Sequence, residues 1–266
     1  MLRSVLGRGL FEQRRAVVGW SLGLGALVVI VFLYYPAVRD DPALTSFYEK
    51  LPDVAQALSG VVGLDIASPS GYLSSQLFAN MVPIIFIIYG VILGSAAVGR
   101  EEDRKTAELL FTAPISRRRV VAEKALAGAA LLTLLGAALF ASLLLGRLLV
   151  DMDISTVNLL AASVASVLVG TTFGAVALAV SCGLGRRAHP GAGAGGLAFA
   201  AFLIYSLAPV VTSLQDWQKA SPFYWYLHSN PLATGFDLAD LAVLAAMSVV
   251  PAVLAAELFD RRDVTS

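Results

Sequence analysis

Residues 99–124 read GREEDRKTAELLFTAPISRRRVVAEK, a densely charged segment set between two long uncharged runs. That contrast decides the fold. The flanking runs, 79–99 and 125–146, each supply the roughly 20 apolar residues that a helix needs to cross a bilayer core. Four further runs do the same, at 16–35, 157–183, 191–214 and 238–256. With 58% hydrophobic and only 14% charged residues, the chain is too apolar for a soluble domain of 266 residues. The predicted class is an all-α integral membrane protein, one six-span domain over 1–266. Residues 16–35 lack the small-residue cleavage pattern of a secretory signal and are about a full span long, so they are read as a retained helix.

The net charge of zero hides an asymmetry that appears once the connecting segments are assigned to alternate sides. With the amino terminus inside, the inner segments hold 15 of the 19 basic residues, and only Arg39, Lys50, Arg147 and Lys219 fall outside. Ten of the 19 acidic residues, including Asp237 and Asp240, are outside. Lys and Arg alone set orientation by the positive-inside rule, so both termini are expected in the cytoplasm.

Three regions outside the spans carry their own patterns. In residues 1–15, Leu2, Val5, Leu6 and Leu10 alternate with Arg3, Arg8, Arg14 and Arg15 at helical spacing. The pattern predicts a helix lying in the inner interface, the alternative being a frayed basic leader that only sets topology. In the first outer segment, Phe47, Leu51, Val54, Leu58 and Val61 predict one or two short amphipathic helices. Ser46 and Glu49 fit a capping box there, and Pro52 suits the start of a second helix. In the other large outer segment, Trp217, Phe223, Tyr224, Trp225 and Tyr226 read as an interfacial aromatic belt, or as part of an exit surface. Within the spans, Gly19/Gly23, Gly90/Gly94 and Gly170/Gly174 form GxxxG pairs that permit close helix approach.

Several chemistries are excluded. Ionisable candidates near the spans (Glu123, Lys124, Arg147, Glu257) sit at span ends, where long side chains reach the interface, so no intramembrane proton relay is expected. Ser95 has no histidine inside any span to serve as its base. One cysteine, Cys182, and two histidines on opposite sides, His189 and His228, support neither a disulfide nor a metal site. No G-x-x-x-x-G-K-[ST] loop is present, so the chain holds no P-loop ATPase site.

The charged segment 100–124 therefore reads as a handle for an external force. Good helix formers at Ala107, Glu108, Leu109 and Leu110 are stopped by Pro114, and Ser116 can cap the third span. Arg117, Arg118 and Arg119 fall at the positive end of that helix, which costs several tenths of a kcal/mol each. Topology or binding must favour them. Leu109, Leu110 and Phe111 form an apolar knob suited to a partner protein or to insertion into the interface.

The run at 101–117, EEDRKTAELLFTAPISR, resembles the first cytoplasmic loop of ABC-2-type permeases, the membrane subunits of ATP-binding-cassette exporters. Thr106, Glu108, Leu109, Leu110, Pro114, Ser116 and Arg117 match that loop, while Lys105 stands where the family often has Gly. Ser221–Pro222–Phe223 and the closing Phe259, Arg262 and Asp263 are similar to family features too. The resemblance implies the ABC-2 exporter fold: six spans, both termini inside, an amphipathic N-terminal interfacial helix and short extracellular helices.

It further implies a permease subunit in the plasma (inner) membrane, without its own catalytic or cofactor site. Its expected partners are cytosolic ABC ATPase subunits carrying ATP and Mg, a second permease subunit (homodimer or heterodimer) and the lipid bilayer, with no nucleic acid. Glu101, Glu102, Thr106, Glu108, Leu109, Leu110, Phe111 and Pro114 would form the coupling element, and Arg117, Arg118 and Arg119 the cytoplasmic membrane anchors. Substrate would pass between facing copies of the second and fifth spans. The alternative within the family is a non-transporting scaffold or a metalloenzyme-maturation permease.

Overall fold

The computed structural model describes residues 5–103, 116–150, 152–184 and 189–261, which are helical with no strand among them. Among the described residues, six helices are long and apolar enough to cross a membrane. The first is α1 (Val5–Arg39); α2 (Pro42–Glu49) and α3 (Asp53–Ser59) follow as short helices. The second span begins with α4 (Pro69–Leu73), passes through a π-helical turn at Ser74–Phe78, and continues as α5 (Met81–Asp103). The third and fourth spans are α6 (Arg117–Leu149) and α7 (Thr156–Leu184), and the fifth is α8 (Pro190–Leu207). A 3₁₀ helix (Thr212–Ala220) and the short helices α9 (Pro222–Leu227) and α10 (Pro231–Thr234) precede the sixth span, α11 (Leu238–Arg261).

Three sequence boundaries move. The expected junction between a leader over 1–15 and a span over 16–35 is not a break, because Val5–Arg39 is one helix of 35 residues. At about 1.5 Å per residue it greatly exceeds a core of about 30 Å. Gly9 faces Ala127 of α6, so the leader gains a packing partner that offsets its weak helix propensity. The fifth span ends at Leu207 and not at residue 214. Pro209 has no N–H to continue the ladder, and the Leu207 carbonyl instead accepts from Val210 and Val211. In the first connection, Asp41 caps α2 by accepting from the Ala43 N–H at 2.8 Å, with Pro42 at the first helical position. Ser46 lies inside that helix and bonds back to the Ala43 carbonyl, so the predicted Ser46/Glu49 box is replaced by an earlier start.

The bundle is organised around α7, with 56% of its apolar window buried against 17% for α1. Two of the three predicted glycine pairs explain how α7 and α5 meet. A Cβ on Gly90 would overlap the Gly170 carbonyl, and one on Gly94 the Gly174 carbonyl, so the two backbones touch. Around the third pair, a Cβ added at Gly19 or Gly23 would meet nothing within 4 Å, and both residues open onto a groove beside Trp20 and Ile85. On its other flank α7 binds α11 through hydroxyls: Thr172 Oγ1 and Ser248 Oγ lie 2.8 Å apart. The main core joins Leu24, Val28 and Phe32 of α1 to Leu135 and Leu139 of α6 and Phe86 of α5. A smaller cluster near the far end of α11 contains Val121, Leu178, Ala255 and Phe259, with Cys182 buried in it as a small packing residue.

Gly94→Val or Gly174→Val should destabilise the protein by at least about 1–3 kcal/mol, since backbone must move. Gly19→Ala should stay within about 0.5 kcal/mol of the parent. Thermal unfolding in detergent measures both; equal effects would show that the α5–α7 contact is not tight.

Candidate functional site

The two ends of the bundle differ. At the loop end, α5 finishes and α6 begins, bracketing the charged segment. Glu101 and Glu102 fall in the last turn of α5. Thr106, Glu108, Leu109, Leu110, Phe111 and Pro114 lie outside the described residues. Ser116 occupies the cap position of α6, but its contribution is the backbone carbonyl, which accepts from Arg119 and Val120, with no side-chain cap bond.

Arg117, Arg118 and Arg119 form the first turn of α6. Arg118 reaches across to α11, with Nη2 3.1 Å from Glu257 Oε2 and Nε 3.1 Å from Asp260 Oδ2. Arg119 pairs with Glu123 one turn along its own helix, at 3.0 Å. These carboxylates answer the electrostatic problem the sequence posed: positive charge at a helix N-terminus is unfavourable, and three acidic groups gather around it. All of these pairs are solvent-accessible, so each contributes about 0–1 kcal/mol; their value is geometric.

Lys124 supplies a second cross-link. Instead of reaching the interface, its Nζ donates to the Ala97 carbonyl of α5. It also lines a cavity of about 60 Å³ with Gly90, Gly94, Gly128, Thr171 and Ser248. The helices entering and leaving the charged segment are thus tied together at its base, and Arg118 ties the second of them to α11.

At the opposite end, the segment 221–235 folds as a hairpin of α9 and α10 and is held by side chains from three spans and a backbone carbonyl of a fourth. Ser221 Oγ caps α9 and donates to the Ala201 carbonyl of α8 at 2.8 Å. Ser74, in the π-helical turn, donates to Asn230 Oδ1 at 3.2 Å. Asn158 of α7 donates to the Leu232 and Ala233 carbonyls at 2.9 and 3.1 Å. His228 Nδ1 lies 3.4 Å from Asp240 Oδ2 in the first turn of α11. Asn230 at the hairpin's turn has φ of 48°, the only non-glycine residue with positive φ among those described. Such strained positions persist when the surroundings hold them.

The aromatic cluster divides. Pro222 starts α9, so Phe223 and Tyr226 share its inner face and are buried, at 2% and 1% exposure, while Trp217 is 64% exposed. The belt reading is therefore corrected for Phe223 and Tyr226: both are core residues. Burial pushes the Tyr226 hydroxyl above its usual value, partly opposed by its 3.2 Å hydrogen bond to Ser166.

Sequence reasoning missed the Asp240–His228 pair by counting Asp240 with the outer charges, although it lies at the start of the 238–256 run. Asp237 caps α11 through the Ala239 and Asp240 N–H groups, which puts Asp240 one turn into the helix, where it is 5% exposed. The Asp237-to-Asp240 spacing just ahead of an apolar run was the available signal. Among the described residues no group of three or more His, Cys, Asp or Glu side chains could hold a metal ion.

A six-span helical bundle with a charged segment between its second and third spans is the plan of a multi-pass membrane protein. Residues 12–264 match the family described as ABC-2 family transporter protein. The chain belongs to that family and is a multi-pass membrane protein of the ABC-transporter permease type, a class that associates with ABC ATPase subunits. No curated protein matches it.

Arg118→Glu would bring a third carboxylate to Glu257 and Asp260 and should lower the unfolding temperature more than Arg118→Ala does. Adding Glu257→Arg should recover part of the loss, with a coupling of about 0.2–1 kcal/mol in a double-mutant cycle. Zero coupling would mean that the α6–α11 bridge does not form in solution.

Proposed function

We propose that the chain is the permease subunit of an ATP-driven exporter in the plasma membrane, with both termini and the loop end in the cytoplasm. The hairpin end, with α2 and α3, then faces outward. The observation that carries this reading is the double tether at the loop end. Lys124 to Ala97 and Arg118 to Glu257 and Asp260 join α5, α6 and α11 beneath the charged segment. A push on that segment would move three spans together. The positive-inside count supports the same orientation.

In this reading Glu101, Glu102, Thr106, Glu108, Leu109, Leu110, Phe111 and Pro114 make the coupling element that seats in a cytosolic nucleotide-binding subunit. Arg117, Arg118 and Arg119 hold the start of α6 at the inner membrane surface. ATP and Mg act on the partner, and closure of two such partners tilts the spans of two paired permease subunits. Substrate passes between facing copies of α5 and α8. In support, Met81, Ile84, Ile88 and Ile92 form an exposed apolar stripe on α5, on a face the glycine contact leaves free.

Purification of the permease with its ATPase subunit tests the proposal. Glu108→Ala with Leu109→Ala should lower permease-dependent ATP hydrolysis at least tenfold, while the variant keeps its unfolding temperature. Unchanged hydrolysis would refute the docking role. For orientation, a cysteine placed at Lys50 should react with a membrane-impermeant thiol reagent in intact cells, and one placed at Ser266 only after permeabilisation.

A further inference from the structure

We infer that the groove between α1 and α5 seats an anionic phospholipid, its phosphate held by Arg15 and one acyl chain lying over Gly19 and Gly23. A mismatch between α1 and α6 puts charge where lipid must answer it. A Cβ on Gly9 would meet Ala127, one on Gly25 would meet Ser142, and one on Gly146 would meet the Phe32 ring. From Gly9 to Gly25 is 16 residues and from Ala127 to Ser142 is 15, so the two helices run parallel and nearly in step. Arg15, six residues past Gly9, stands level with Thr133, inside the uncharged run 125–146. From that level to Arg147 is about 20 Å at 1.5 Å per residue, against about 30 Å for a hydrocarbon core. One of the two arginines is therefore drawn into the apolar layer, or the bilayer thins beside it.

Arg147 is satisfied within the protein: its Nη1 donates to the Ile154 carbonyl at 2.8 Å and to Thr156 Oγ1 at 3.2 Å. Arg15 is exposed and has no hydrogen-bonding or ionic partner among the described residues. Its neighbour Arg14 lies over the Phe11 ring, 3.9 Å from the centroid, and Glu12 is engaged by another contact. A lipid phosphate is the counterion available at that depth, and the planar guanidinium fork matches two phosphate oxygens. Side chains on a helix lean toward its start, so Arg15 reaches toward the membrane surface at the loop end, where head groups lie.

The groove continues from that charge in the opposite direction. Ala16, Gly19, Trp20, Gly23 and Leu24 of α1 line it with Ile85 of α5, leaving about 480 Å³ open. Arg15, Gly19 and Gly23 recur every four residues, so the charge and the small residues share one face. Between them stand two donors without acceptors. The Trp20 indole N–H has no hydrogen-bond partner among the described residues. Behind it, with ring centroids 5.6 Å apart, Tyr89 is 1% exposed and its hydroxyl has no partner; that side chain leans toward the turn of Ile85, in the groove wall. Hydrocarbon offers these donors nothing. Phospholipid ester oxygens supply acceptors at this depth, to Trp20 from the groove and to Tyr89 where the Trp20 ring gives way. A second copy of the chain fits less well, because a two-fold contact between like grooves sets Arg15 against its own equivalent. The site needs only α1, α5 and α6 and holds whichever side of the membrane the loop end faces.

Native mass spectrometry of the full chain, released from detergent and titrated with dioleoyl phosphatidylglycerol or dioleoyl phosphatidylcholine, tests this. The first phosphatidylglycerol should bind about fivefold more tightly than the first phosphatidylcholine, and Arg15→Ala should remove that preference. Arg261→Ala, which deletes the same charge at the end of α11, should keep it. Gly23→Leu fills the groove and should weaken both lipids while the unfolding temperature in detergent stays that of the parent; Gly19→Leu takes its place should Gly23→Leu not fold. Glycerol phosphate, a head group without chains, should not compete. Equal affinity of the parent for the two lipids, equal losses in Arg15→Ala and Arg261→Ala, or lipid binding untouched by a filled groove would overturn the site. Competition by glycerol phosphate would overturn it in favour of a simple anion site, and dimers that Gly23→Leu dissolves while lipid binding persists would assign the groove to a second copy instead.

Discussion

Everything in this bundle depends on the contact between the backbones of α5 and α7. In lipid, apolar side chains gain little by leaving one hydrocarbon environment for another, so helices associate through close packing and polar contacts. Gly90 and Gly94 lie against the carbonyls of Gly170 and Gly174, and Gly174 in turn lies against the Gly90 carbonyl. No side chain larger than hydrogen fits at that crossing. Once α5 and α7 are joined, the remaining faces of α7 are free for α6, α8 and α11, and α7 becomes the axis of the protein.

The distribution of polar contacts follows from the same constraint. Along the middle of the spans, hydroxyls mostly turn back on their own helix, as Ser163, Ser166, Thr171 and Thr172 do on carbonyls four residues earlier. Contacts between different elements concentrate at the two ends. At one end Lys124 and Arg118 link α5, α6 and α11; at the other Ser74, Asn158, Ser221 and Asp240 hold the hairpin. The result is a centre where two backbones touch and ends where side chains link different elements.

The two ends also differ in how they respond to their surroundings. The arginine bridges at the loop end are exposed and are weakened by salt, so they set direction and register more than strength. The Asp240–His228 pair is shielded on the carboxylate side, where Asp240 is 5% exposed, so salt screens it less.

Much of this was legible in the sequence. Runs of about 20 apolar residues separated by charged or proline-containing segments specify six spans because the bilayer imposes a length and a polarity on any chain crossing it. The segment over 101–117 and its resemblance pointed to the family that the match over residues 12–264 then showed. Local rules worked where local chemistry decides: a second short helix begins just after Pro52. Which glycine pair forms a contact, however, was not written in any pair's own spacing. Gly19/Gly23 and Gly90/Gly94 look alike in sequence, and only the second meets another backbone. Phe223 and Tyr226 looked like belt residues until the rotation of α9 turned them inward. Asp240 counted as an outer charge at the start of the sixth run, and only the hairpin packed on α11 buries it. Composition and period determined how many helices cross and roughly where each begins, because those depend on a residue and its near neighbours. The tertiary structure decided which faces meet and which charges are buried, because those depend on what distant helices bring to the same few ångströms.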